Sequence, residues 1–287
     1  EQSLGETFDA LVLCPFFEEG GRLTVDDVHY VREGDTLTPA AQTPFARDKA
    51  FGYSNSNLRR WVTEKTAGSV PPERFHSITI DMLRREDGPA AVADMLMNLP
   101  PAAVVIVNAI CYRDLEVAVA GMLRAELGGK RFLHRSAASI VAVRSGIERI
   151  EPLDGRHLRA DSGSGVLVVV GSYVPKTTQQ LERLLESGLG HCVELDVQTL
   201  LDDSSTGRFL DRYVEEVDAR LARDEVAVIY TSRTLIHDDG QHGLAIGGRV
   251  SAALVDVVRR LKSRPRTIIT KGGITSSDIA VKGCEVR

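Results

Sequence analysis

Several things are scarce in this 287-residue chain, and each scarcity excludes a class of protein. The four cysteines, Cys14, Cys111, Cys192 and Cys284, are far apart and form no Cys-x-x-Cys pair. That argues against a disulfide framework or a cysteine-ligated metal, and for reduced thiols in a cytoplasmic protein. Positive charge is not in excess: 35 Lys and Arg against 40 Asp and Glu leave a net charge of −5, with no basic footprint for nucleic acid. No apolar run approaches the ~20 residues of a membrane-spanning helix, and no signal-peptide pattern is read. The chain therefore reads as one that engages neither nucleic acid nor membrane. It also lacks the two common nucleotide fingerprints, G-x-x-x-x-G-K-[ST] and G-x-G-x-x-G. No internal repeat and no low-complexity tract is found.

What is present suits a packed globular chain. Hydrophobic residues make up 43% and charged residues 26%, which argues against disorder. The length suffices for two domains with cores of their own. In the first half, Asp9–Cys14, Phe75–Ile80, Ala102–Ala109 and Phe132-Leu133 read as strands, and Arg22–Val31 as a hairpin. Helices are expected at Ser56–Lys65, Ala90–Leu99, Leu115–Leu127 and Ala137–Val143. The stretch from Glu151 to Gly165 is polar and carries Pro152, Gly155, Gly163 and Gly165, so it reads as a linker. Beyond it, strands at Val166–Val170, Cys192–Leu195, Val226–Tyr230 and Thr267–Thr270 alternate with helices at Thr177–Glu186, Gly207–Ala222, His242–Leu261 and Ser276–Val281. Such alternation predicts an α/β fold: two domains, 1–150 and 166–287, each a mostly parallel sheet flanked by helices. Ligands of such sheets gather at the carboxyl ends of strands, where Ser172, Thr231-Ser232 and Gly272-Gly273 fall.

The stretch Ile268 to Asp278 carries the strongest chemical signal: a β-branched strand, two glycines, then a hydroxyl-rich helix start. Glycines let backbone approach a ligand closely. Unpaired amides of a first helical turn favour an anion such as phosphate, and Thr275, Ser276 and Ser277 lie there. A plain strand-to-helix turn with a Ser/Thr cap fits the same residues equally well. Gly171-Ser172 similarly ends an apolar strand before Pro175, and on local grounds Ser172 reads first as a helix cap.

Four segments taken together are more specific. Pro15 to Arg22 with Phe45-Ala46-Arg47-Asp48, Gly171-Ser172 followed by Pro175, Thr177 and Gln179, Leu244 to Ser251, and Lys271 to Asp278 resemble, in order and spacing, the four-carbon acid sugar kinase family. The resemblance runs over nearly the whole chain. It implies an ATP-dependent kinase, using Mg²⁺, that phosphorylates the terminal hydroxyl of an acid such as threonate, erythronate or 3-oxo-tetronate. It assigns Ser172, Gly272, Gly273, Ile274 and Thr275 to ATP. Where many relatives have Glu, this chain has Ile274, so only backbone can take part there. The first domain is expected to hold the sugar acid and the second the nucleotide, both incomplete, because relatives carry further motifs before the first segment and after the last. The general base is expected in such an N-terminal motif, and no catalytic residue is assigned here. A non-catalytic nucleotide or sugar-phosphate binding module is the alternative, and self-association as a homodimer is left open.

Arg22 and Arg47 suit carboxylate recognition and are candidate substrate contacts, although a surface role fits as well. His237-Asp238-Asp239 with His242 has metal-ligand chemistry, but the flanking Gly240 and Gly243 favour a helix-entry loop. No metal site is assigned. Asn55 and Ser56 read as a helix cap, Glu64-Lys65 as a surface charge pair, and His134-Arg135-Ser136 as a loop or domain-interface segment after a short strand.

Overall fold

The computed structural model describes residues 5–47, 52–148, 150–151, 154, 162–202, 206–233 and 241–286. The chain divides into two compact units, 1–150 and 151–287. Most of the expected linker lies outside the described residues. Its last part already belongs to the second unit, since Ser164 N donates to Arg264 O and Gly165 N to Asp224 Oδ1.

The first unit runs β1 (Ala10–Cys14), β2 (Arg22–Val25), β3 (Val28–Glu33), β4 (Thr36–Pro39), α1 (Leu58–Lys65), β5 (Phe75–Ile78), α2 (Ile80–Leu83), α3 (Gly88–Met97), β6 (Ala103–Val107), α4 (Tyr112–Leu127), β7 (Phe132–Ser136) and α5 (Ala138–Ser145). Its main sheet is parallel, in the order β5-β6-β1-β7. Every residue of β6 is buried, as an all-apolar strand covered on both faces must be. The hairpin is larger than the sequence indicates: β2, β3 and β4 form a three-stranded antiparallel sheet. Helix α4 buries Leu115, Ala118, Val119, Met122 and Ala125 along one stripe. It meets α3 closely at Gly121, where a Cβ would stand 2.5 Å from Val92 Cβ and 3.0 Å from Pro89 O.

Several boundaries differ from expectation for identifiable reasons. The strand at Phe75 stops at Ile78, because the Thr79 hydroxyl accepts from Met82 N and starts α2. Helix α1 is capped by Asn57, not by Asn55 or Ser56, with Oδ1 accepting from Arg59 N and Arg60 N. Glu64 accepts from Ser54 and Asn55 instead of pairing with Lys65. His134, Arg135 and Ser136 are strand, paired in register with Val12, Leu13 and Cys14. All four cysteines are free thiols, and burial pushes the Cys14 pKa up to about 12.

The second unit runs β8 (Val166–Val170), α6 (Pro175–Glu186), β9 (His191–Leu195), α7 (Val197–Asp202), α8 (Thr206–Leu221), β10 (Val226–Thr231), α9 (Gln241–Arg260), β11 (Thr267–Lys271) and α10 (Gly273–Asp278), then a π-helical turn Ile279–Gly283. Its sheet is wholly parallel, in the order β11-β8-β10-β9. Side chains alternate across a strand, so β8 serves two cores. Val168 and Val170 pack with Leu181 of α6. Leu167 and Val169 face the opposite cluster, with residues of α7, α8, α9 and Ile279. The chain leaving β8 therefore turns to one face of the sheet, while that leaving β10 and β11 turns to the other. An open α/β sheet has its ligand crevice where neighbouring connections part in this way, outside the carboxyl ends of the strands.

Candidate functional site

At that parting, Gly171-Ser172 and the Gly-Gly segment lie side by side. Val170 is in register with Lys271 of β11 and Tyr230 of β10. Gly171 N donates to Lys271 O at 3.3 Å. Gly272 has φ 116°, a conformation open to glycine, and a Cβ there would stand 2.8 Å from Ser172 Cβ and 3.3 Å from Ser172 N. Gly273 differs. Its φ is not positive, and a Cβ there would meet nothing within 4 Å. The tight turn is thus made by Gly272, while Gly273 presents bare backbone to open space.

The hydroxyls do not cap α10, which starts at Gly273 rather than at Ser276. Its N-cap, Gly272, makes no side-chain bond. Thr275 is buried, with its hydroxyl against Gly171, and the Ser276 hydroxyl bonds Thr270 Oγ1 at 3.0 Å. Nor is Ser172 a cap: α6 begins at Pro175 with Val174 as N-cap, and Ser172 Oγ instead lies 3.4 Å from Thr177 Oγ1. Around these strand ends sit exposed apolar side chains: Tyr173 at 58%, Val174 at 41% and Ile274 at 75% of full exposure. Apolar groups left open beside polar backbone suit a ligand with an apolar ring and a charged tail.

At the end of β10, Ser232 turns toward β9 instead: its hydroxyl accepts from Val197 N at 3.2 Å, at the start of α7. The next residue takes its place. Arg233 Nη2 donates to Ser172 O at 2.8 Å and to Thr178 Oγ1 at 2.6 Å. Sequence reasoning stopped at Ser232. The available signal was a cation directly after a strand end in a parallel sheet.

In the first unit Arg22 lies on β2 with its guanidinium over the Phe45 ring, 4.8 Å from the centroid. Arg47 closes the 3₁₀ turn Pro44–Arg47 that carries Phe45, and is exposed; Asp48 lies outside the described residues. Two titratable groups feel Arg22. Burial, helped by Arg22, holds the His29 imidazole down at about 4, with Nδ1 3.0 Å from Thr24 Oγ1. Burial raises the Tyr53 phenol, and Arg22 opposes that. The His237-Asp238-Asp239 loop lies outside the described residues, as does the side chain of His242. Among the described residues no group of three His, Cys, Asp or Glu is placed to hold a metal, and no helix is long and apolar enough to cross a membrane.

Residues 1–144 match the family model of a sugar-binding N-terminal domain, and residues 167–287 that of a nucleotide-binding C-terminal domain. Fold and match together define a two-domain α/β protein with a sugar-binding half followed by a nucleotide-binding half. The chain belongs to the four-carbon acid sugar kinase family, whose architecture this is. Two solved structures share the fold. One is a Salmonella typhimurium LT2 protein provisionally assigned as a tRNA synthase (TM-score 0.58, 17% identity, 98% of this chain and 63% of that one). The other is Haemophilus influenzae protein HI1011, of the DUF1537 family (TM-score 0.50, 19% identity, 98% and 64%). The chain spans just under two thirds of the length of either protein. No functionally curated protein matches it.

Proposed function

We propose that the second unit binds ATP in the cleft formed by Ser172, Gly272, Gly273, Ile274 and Thr275, and that the whole protein is a cytoplasmic kinase of a four-carbon sugar acid. The observation that carries this reading is the meeting of Ser172 and Gly272 at the parting of β8 and β11, in the half that matches a nucleotide-binding domain. The backbone of Gly272 and Gly273 would approach the phosphates. The exposed Tyr173, Val174 and Ile274 are the apolar surface beside them that an adenine ring would cover. Thr275 holds the β8 turn from behind, so its part is to position Gly171-Ser172.

In the transfer, the terminal hydroxyl oxygen of threonate, erythronate or 3-oxo-tetronate forms a bond to the γ-phosphorus. The bond from that phosphorus to the β-γ bridging oxygen breaks, ADP leaves, and the hydroxyl proton goes to a base. Arg22 is the proposed contact for the acid's carboxylate in the first unit, with Arg47 as a second candidate. The described residues build no carboxylate cage for Mg²⁺. The proposed Mg²⁺ would be supplied with the triphosphate and would neutralise its charge. A kinase assay of the full-length protein against a panel of four-carbon acids tests the reading. Phosphorylation of one acid supports it. Saturable ATP binding with no turnover of any acid favours the non-catalytic binding module.

A further inference from the structure

Arg233 is paired in an unequal way. Both hydrogens of Nη2 are used, on Ser172 O and Thr178 Oγ1. Among the described residues the three on Nε and Nη1 meet no acceptor, and both nitrogens are shielded from solvent. Glu182 and Glu194 act on it only through their charge, and Glu194 Oε2 instead accepts from Tyr230. Tying the β10 end to the Ser172 carbonyl needs a single donor, which a glutamine supplies. A permanent charge with five donors, three of them unpaired out of water, is costly for that task alone and suits an anion with several oxygens. Its position agrees, because the guanidinium rests on Ser172, the residue that Gly272 borders from the other side.

We propose that Arg233 is the cationic anchor for the phosphates of the bound nucleotide, a reading that rests on the ATP assignment of this cleft. Rotation about the outer side-chain torsions, between staggered wells of similar energy, is the movement needed to turn the unpaired donors toward a ligand at Ser172. Arg233 would thereby join the β10 end to a site otherwise made by β8 and β11.

The test uses Arg233→Lys and Arg233→Gln, titrated with a non-hydrolysable ATP analogue, inorganic pyrophosphate and adenosine, with melting temperatures recorded alongside. The expected result is at least a tenfold loss for the analogue and for pyrophosphate, the glutamine variant being worse. Adenosine affinity and melting temperature stay near wild type. Wild-type affinity for the analogue in both variants overturns the proposal, as does an equal loss for analogue and adenosine, which marks a residue that only shapes the loop. In the wild-type chain the Arg233 Nε–H resonance should shift and gain exchange protection with pyrophosphate, and an unchanged resonance overturns the proposal independently of the variants. If the wild type binds pyrophosphate but not the ATP analogue, the anchor stands and the ATP reading falls; binding of neither overturns both.

Discussion

The Thr275 hydroxyl occupies the space that a side chain on Gly171 would need. A Cβ built at Gly171 falls well inside the 3.0 Å that real Cβ contacts keep from Thr275 Oγ1, and 3.3 Å from Thr275 Cβ. Strands β8 and β11 are thus locked at their ends by one buried threonine against one bare glycine.

This lock predicts a coupled pair. Gly171→Ala should destabilise the protein by about 1–3 kcal/mol, because an added methyl in a packed site forces a shift. In the double variant Gly171→Ala/Thr275→Ala, part of that cost should be recovered, leaving a coupling of about 0.5 kcal/mol or more. Denaturant melts of the four proteins measure it, and simple additivity would show that the two residues do not meet.

Helix packing in the first unit makes a second prediction. Gly121→Ala should lower stability by about 1–3 kcal/mol, since Val92 and the Pro89 carbonyl leave no room. Gly248→Ala in α9 is the contrast: nothing lies within 4 Å there, so the helix should gain about 0.5–1 kcal/mol. Thermal melts that rank the two variants in the opposite order would contradict the packing described.

His29 makes a prediction about pH. Its folded pKa, about 4, lies below the ordinary 6.5, so the unfolded chain binds the proton more tightly. The contribution of neutral His29 is fully present above about pH 6.5 and is lost as pH falls toward 4, by at most roughly 3 kcal/mol. His29→Gln should flatten this part of the stability profile. Parallel wild-type and variant profiles between pH 7 and 4 would remove His29 from the account.

The second unit was the more legible half in the sequence. Its two central strands, β8 and β10, are almost wholly apolar and rich in Val, and a parallel sheet covered on both faces demands such runs. Short elements were lost where one side chain decides the chain's path. Thr79 ends β5 by capping α2, and Ser232 starts α7 across the sheet. The cleft itself was half legible. Ser172 and the glycines were marked by strand ends and resemblance, but the division of labour between Gly272 and Gly273 depends on one φ angle. The Thr275 hydroxyl packs inside the fold against Gly171 and that of Ser276 bonds Thr270, although local pattern placed both at a helix cap. Arg233 was missed because its reach toward β8 is set by strand order, which no local pattern encodes.

Calorimetric titration of the wild type and Gly273→Val with a non-hydrolysable ATP analogue tests the central claim most directly. A side chain at Gly273 meets open space, so the fold should tolerate valine and keep its melting temperature. The backbone it covers is the surface that the phosphates are proposed to approach. The account predicts saturable binding by the wild type and at least a tenfold loss in the variant. Wild-type affinity in a folded Gly273→Val, or no saturable binding by the wild type, would contradict it.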